Sequence, residues 1–215
     1  YFTNDLLAPL HDGAQFPVDS GRMAFTTDSY VVQPTFFPGG NIGKLAVCGT
    51  VNDLAMNVAV PQYLSCGLIL EEGLPFDELE TILSTMSDMA KLANVQIVTG
   101  DTKVVKKGEV DKIYINTAGI GMIPDGINIG PNVVKPNMDI ILSGSIGDHS
   151  IAVMGERFGL ELSDSVKTDC APLNHMVRAV LHAVGPQVAL LRDPTRGGVG
   201  TVLKEIAEQS QVGIK

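Results

Sequence analysis

Tryptophan is absent, and aromatic residues make up only 5% of the 215 residues. Basic residues are scarce: Lys+Arg number 15 against 24 for Asp+Glu, a formal net charge of −9. A surface that grips a nucleic-acid backbone is normally basic, so nucleic acid is disfavoured as the main partner, and anionic membrane surfaces are disfavoured for the same reason. Charged residues are 18% and hydrophobic ones 45%, a balance that opposes disorder and leaves enough apolar surface for a real core. No apolar run reaches the ~18 residues that span a bilayer; the nearest, residues 45–60, is broken by Asn52 and Asp53. Residues 1–5 have no basic n-region, so no signal peptide is expected. There is no initiator Met and no tail after the last helical pattern, so the chain reads as a fragment at both ends.

Cysteines are few. Cys48, Cys66 and Cys170 lie far apart, with no C-x-x-C and no nearby His pairing for zinc. They read as reduced thiols of a cytoplasmic protein, serving as small apolar core residues. Standard nucleotide and hydrolase motifs are missing too. Residues 39–44 look vaguely like a P-loop, but Pro38 stands where the first Gly should be and Leu45 where Ser/Thr should meet magnesium. No G-x-G-x-x-G follows a strand, and there is no G-x-S-x-G or H-E-x-x-H.

The patterns that are there alternate strand and helix. Residues 22–32, 62–70, 95–99, 112–123, 139–143 and 188–191 read as strands, the 95–99 strand short and buried. Residues 42–60 read as a helix apolar on nearly every face, hence buried on several sides. Phe76, Leu79, Ile82, Leu83, Met86, Met89, Ala90 and Ala93 follow a 3.6 period. Further helices are predicted over 150–158, 172–183 and from 198 to about 209. The class is α/β (α+β). Residues 124–136, with three prolines and two glycines, mark the expected seam between domains 1–130 and 131–215.

Four aspartates stand beside small or hydroxylic residues at or near element ends: Asp28, Asp53, Asp101 and Asp193. Asp53 interrupts an apolar helix, and a buried carboxylate is costly unless a cation or hydrogen bonds compensate it. Asp101 follows Gly100, where backbone can approach a ligand, and Asp193 opens a Gly-containing turn into a helix. An Asp after a strand also has a plainer reading as a cap or turn former, which applies to Asp28 and Asp193 more than to Asp53. Together they point to hard-cation sites in which Mg²⁺ holds phosphates, which lets an acidic protein bind an anionic nucleotide. Lys103 is placed to reach a phosphate or move a proton, or is simply a surface lysine like Lys106 and Lys107. Arg196 is a candidate phosphate fork or a loop tie.

The segments TTDSYVVQPTFFPGGNIGKLAVCGTVNDLA, LSCGLILEEGLPF, VTGDTKVV, NTAGIG, GSIGDH and DPTRGG resemble the HypE family of hydrogenase maturation factors. That family lies in the superfamily of aminoimidazole ribonucleotide synthetase and selenophosphate synthetase. The resemblance runs from about Gly21 to the end. It implies a two-domain synthetase-like fold with the second domain incomplete, and a homodimer joining two small sheets into a barrel. It implies ATP and Mg²⁺ in a groove, with Asp28, Asp53, Asp101 and Asp193 as metal–phosphate carboxylates. Asn41, Thr102, Lys103 and Arg196 would be neighbours in that site, with Lys103 the catalytic candidate. The implied reaction is ATP-dependent dehydration of a carbamoyl group on the C-terminal cysteine to a thiocyanate, the cyanide donor for the iron of [NiFe] hydrogenase. The implied partners are the carbamoyltransferase HypF and the HypC–HypD complex. The family's terminal cysteine and its Gly-rich N-terminal segment are not found here, and Ser150 replaces an expected Gly, so the chain as given is expected to be inactive. A related ATP-dependent phosphotransferase or synthetase, and a non-catalytic maturation scaffold, are the alternative readings.

Overall fold

The computed structural model describes residues 14–19, 21–160 and 166–215; the residues 1–5 read above for a leader lie outside them. Alternation of side chains builds the central sheet. In strand β7 (Ile113–Ile123) every second residue is buried, and its neighbours are β2 (Gly21–Tyr30) and β5 (Val60–Glu71), both antiparallel to it. Strand β1 (Ala14–Val18) extends one edge antiparallel to β2, and β6 (Gln96–Val105) extends the other parallel to β5, giving the order β1-β2-β7-β5-β6. A two-stranded ribbon, β3 (Phe36–Phe37) with β4 (Gly40–Asn41), leads into helix α1.

Helix α1 (Ile42–Met56) buries ten of its fifteen residues, as an all-round apolar helix should. It is packed between the sheet and helix α2 (Phe76–Ala93). At the crossing, Gly43 comes so close to α2 that a Cβ there would lie 2.5 Å from Ile82 O and 2.9 Å from Met86 Cγ. Helix α1 ends four residues before the predicted boundary. The Asn57 side chain donates to Asp53 O, and Val58 takes a left-handed φ of 55°, so the chain turns and Val60 opens β5. The periodic pattern of α2 buries Ile82, Met86, Ala90 and Ala93, whereas Phe76 at its start and Leu83 are exposed.

Three strand readings need correction. The 95–99 segment is part of a ten-residue edge strand, β6, exposed along almost its full length because only β5 flanks it. Residues 139–143 are not a strand: Ile140, Ile141 and Leu142 are exposed, and among the described residues no ladder lies beside them. Residues 188–191 are irregular chain. Val188 and Leu191 pack beneath Leu54, Ala59 and Ile123, and Ala189 O accepts one bond from Gly130 N.

After an irregular stretch come α3 (Asp148–Phe158), α4 (Asn174–Val184) with a 3₁₀ turn (Gly185–Gln187), and α5 (Gly198–Ser210). Helix α4 leans on α1 through Val177, Ala55 and Met56. Among the described residues no helix is long and apolar enough to cross a membrane.

Candidate functional site

Period-two alternation on β2 sends Thr26, Asp28 and Tyr30 to one face, the face that meets α1. From α1, Asp53 answers: its Oδ2 accepts from Thr26 Oγ1 at 2.9 Å. Half-buried in a largely apolar helix, Asp53 thus has the hydrogen-bond compensation that burial demands. Behind these carboxylates runs a buried hydroxyl chain. Tyr30 Oη lies 3.2 Å from Thr50 Oγ1, Thr50 lies 2.6 Å from Thr117 Oγ1, and Thr117 donates to Ala46 O at 2.8 Å. The phenol fits only because α1 carries Gly49, where a Cβ would sit 2.3 Å from Tyr30 Oη. Burial pushes the phenol's pKa up, and the negative charges of Asp28 and Asp53 push it further in the same direction.

The turn before α5 adds a third carboxylate. Asp193 O accepts from Thr195 N at 3.1 Å. Burial raises the pKa of its carboxyl, the neighbouring charge of Asp28 adds to the rise, and Arg192 opposes it. Asp28, on its strand, thus shares a negatively charged neighbourhood with Asp53 of α1 around the Tyr30 phenol, and another with Asp193 of the loop before α5. Among the described residues no three carboxylate, imidazole or thiol groups come close enough to chelate one ion by themselves.

The fourth aspartate stands apart within the chain. Asp28 is paired across the sheet with Thr117, Thr117 with Cys66, and Cys66 with Gly100. That row spans three strand spacings, about 14 Å. Since Gly100 lies on the α1 side, Asp101 and Lys103 project from the opposite face. They pair with each other, Lys103 Nζ to Asp101 Oδ2 at 3.1 Å, both largely exposed. Thr102 faces back into an open groove between β6 and α2, with Leu83, Met86 and Cys66. The reading of Asp101 as the close of a buried strand fails because strand order makes β6 an edge.

Asn41 has a structural task. It caps α1, accepting from Lys44 N at 3.1 Å, and its Nδ2 donates to Thr85 Oγ1 at 2.9 Å, so its buried amide is committed on both sides. Arg196 is exposed on the turn ahead of α5. His149, on α3, lies 2.9 Å from Thr168 Oγ1 and edge-on to Phe37; burial lowers its pKa. Sequence reasoning missed Thr26 and Tyr30, although their spacing of two around Asp28 carried the signal.

Residues 10–123 match the family described as AIR synthase related protein, N-terminal domain, and residues 135–215 match its C-terminal domain. The chain belongs to the AIR synthase related family, in its HypE branch. The carbamoyl dehydratase HypE of Rhizobium leguminosarum is 50% identical over 214 residues, covering 100% of this chain and 61% of its own length. The HypE of Escherichia coli is 46% identical, covering 100% of this chain and 65% of its own length. The chain thus spans less than two thirds of these relatives. A crystal structure of a HypE–HypF complex is 46% identical with a TM-score of 0.92, covering 98% of this chain and 68% of that one. A HypE solved in complex with ATP is 50% identical with a TM-score of 0.86, covering 98% and 62%. Thiamine monophosphate kinase from Aquifex aeolicus, at 17% identity and a TM-score of 0.71, shares the fold.

Proposed function

We propose that these 215 residues supply the nucleotide site of an ATP-dependent carbamoyl dehydratase of [NiFe] hydrogenase maturation. The observation that carries this reading is Asp28 flanked by the charge of Asp53 on one side and of Asp193 on the other, in a chain 50% identical to a HypE solved with ATP. The proposed domains are 1–130, binding ATP and pairing two copies, and 131–215, closing the groove.

The donor set fits Mg²⁺. Hard carboxylate oxygens crowd one another, and Asp193 feels the charge of Asp28. Mg²⁺ is usually held by one or two carboxylates, with phosphate and water filling the remaining positions, so a site without three converging protein ligands suits it. One or two of Asp28, Asp53 and Asp193 at a time would hold the ion, which when bound offsets the charge of the triphosphate. Thr26 keeps Asp53 turned toward the site.

Asp101 to Lys103 would join from a second copy. Strand β1 covers only Gly21–Phe25 of β2, so the ladder edge beside Thr26–Tyr30 is open among the described residues, as is the outer edge of β6. Pairing β6 of one copy with that stretch of the other makes the barrel homodimer and sets Asp101, Thr102 and Lys103 beside Asp28.

In the whole protein, phosphorylation turns the amide oxygen of the thiocarboxamide into a leaving phosphate, and the nitrogen gives up both protons as the carbon–oxygen bond breaks. Positioning and charge neutralisation do most of that work. Lys103 is our candidate for part of the proton traffic. HypF and the HypC–HypD complex are the proposed protein partners, giving and taking the group.

Titration calorimetry with ATP, with and without Mg²⁺, tests the site. Binding should require the cation and weaken about tenfold or more in Asp53→Asn, the size of a lost charge-assisted contact. Undiminished binding in the variant, or binding indifferent to Mg²⁺, removes the assignment.

A further inference from the structure

We propose that Cys48 and Cys170 form a thiol-oxidation site that takes a hydroperoxide-class oxidant and closes into a disulfide joining α1 to the segment before α4. Cys48 is completely buried on α1, and Cys170 is half-buried on the segment held across the same helix face, so that the two thiols are neighbours.

Contacts on both flanks hold the pair together. One turn along the same α1 face, Asn52 Nδ2 donates to Ala171 O at 3.1 Å and Asn52 Oδ1 accepts from Leu173 N at 2.8 Å. On the other flank Thr168 N donates to Pro38 O at 2.9 Å, and Thr168 Oγ1 accepts from Cys170 N at 3.1 Å. The sulfurs cannot separate without opening this clasp.

The two thiols are unlike. The neighbouring Cys48 thiol lowers the pKa of Cys170 against the effect of burial; Lys44 helps and Asp169 opposes. The same contact, with burial, raises the pKa of Cys48. Cys170 is thus the more accessible and more acidic member, the pattern of a reacting thiol with a resolving thiol beside it. Cys66 provides an internal reference: burial raises its pKa and no second thiol pairs with it.

The chemistry balances. The Cys170 thiolate attacks the terminal oxygen of the hydroperoxide, the O–O bond breaks, and the alkoxide leaves as an alcohol after taking a proton. The Cys48 sulfur then attacks the Cys170 sulfenic sulfur, the S–O bond breaks, and hydroxide leaves with the Cys48 proton as water. Both sulfurs are oxidised, and the peroxide is reduced by two electrons. The bond would tie a residue matched by the N-terminal family domain to one matched by the C-terminal domain.

The test treats the native chain with a few equivalents of hydrogen peroxide at neutral pH, alkylates it after denaturation, and maps peptides without reductant. We expect a Cys48–Cys170 peptide pair that dithiothreitol separates, Cys66 still alkylated, and Cys170 consumed about tenfold or more faster than Cys66. In Cys48→Ser, Cys170 should stop at a sulfenic acid captured by a 1,3-diketone. Should Cys66 react first, should all three thiols react at one rate, or should Cys170 be consumed without a link to Cys48, the proposal is overturned. The wild-type map decides the matter even if the variant does not fold.

Discussion

Helix α1 buries ten of its fifteen residues, whereas α4 and α5 bury a single residue each, Val177 and Val202. The sheet side of the molecule has a continuous core of Ile42, Val47, Val51, Leu64, Ile82, Met86, Ile113 and Ile115. Beyond residue 130 helix α4 is held by what it touches on α1 and α3 rests on β3, while Ile140, Ile141 and Leu142 remain exposed. The difference teaches that position, not internal packing, is what the second region contributes: α1 is at once the core of the first and the seat of the second.

The largest expected effect lies at the α1–α2 crossing. Gly43→Val drives side-chain atoms into Ile82 O and Met86, and the backbone oxygen cannot yield cheaply. We expect a loss of about 3 kcal/mol or more in urea unfolding, typical of severe overpacking. Gly200 in α5 is the contrast: a Cβ there meets nothing, so Gly200→Ala should hold or raise stability by up to about 1 kcal/mol. Equal responses at the two glycines would erase the distinction between the regions.

Next in size is the seat itself. Asn52 bridges Ala171 O and Leu173 N with one side chain. Asn52→Ala should cost about 1–3 kcal/mol, and the loss should be local. Hydrogen exchange should quicken in α4 while β7 keeps its protection. Uniform quickening across the sheet would mean that the two regions unfold as one.

A smaller effect, of opposite sign, is expected at Asp193. Its folded pKa is raised above the ordinary 3.8, by burial first and by Asp28 in addition. A carboxyl shifted in that direction supports the fold fully below 3.8, and that support is lost as pH rises through the raised value. Asp193→Asn should therefore melt higher at neutral pH, by about 2–4 °C if the relief is near 1 kcal/mol. The gap should close in acid below 3.8. Mg²⁺ with ATP should stabilise the wild type more than the variant, reversing their order. A gap that persists in acid would assign the effect to packing instead of charge.

Much of this was readable in the chain because side-chain periodicity decides it. The 3.6 repeat of α2, the all-round apolar face of α1 and the alternation of β7 each follow from local sequence. What depends on neighbours was not readable. Val95, Ile97 and Val98 have the composition of a buried strand, yet Ile97 and Val98 are exposed because β6 has one partner strand. Residues 139–143 have strand composition and no ladder. At the site, Asp28, Asp53 and Asp193 stood out as carboxylates among small residues, whereas the removal of Asp101 by three strands required the sheet order. Asn41 immediately before an apolar helix carried a cap signal, and the structure uses it so.

The smallest expected change in stability belongs to Lys103, and it separates the regions by function. Lys103 and Asp101 are each about 70% exposed on the free edge of β6, 3.1 Å apart. Such pairs contribute little, so Lys103→Ala should shift unfolding by no more than about 0.5 kcal/mol. Among the described residues of its own chain Lys103 meets only Asp101, since Asp28 lies across the sheet on the other face. If a second copy brings it to the nucleotide, the variant of the whole protein should bind ATP normally and fail to dehydrate the thiocarboxamide. Mixing that variant with an Asp53→Asn copy should then restore part of the activity, because one of the two shared sites in a mixed dimer keeps both residues. Dehydration unchanged in Lys103→Ala, or no recovery on mixing, would return β6 to the status of an unoccupied edge and confine the site to one chain.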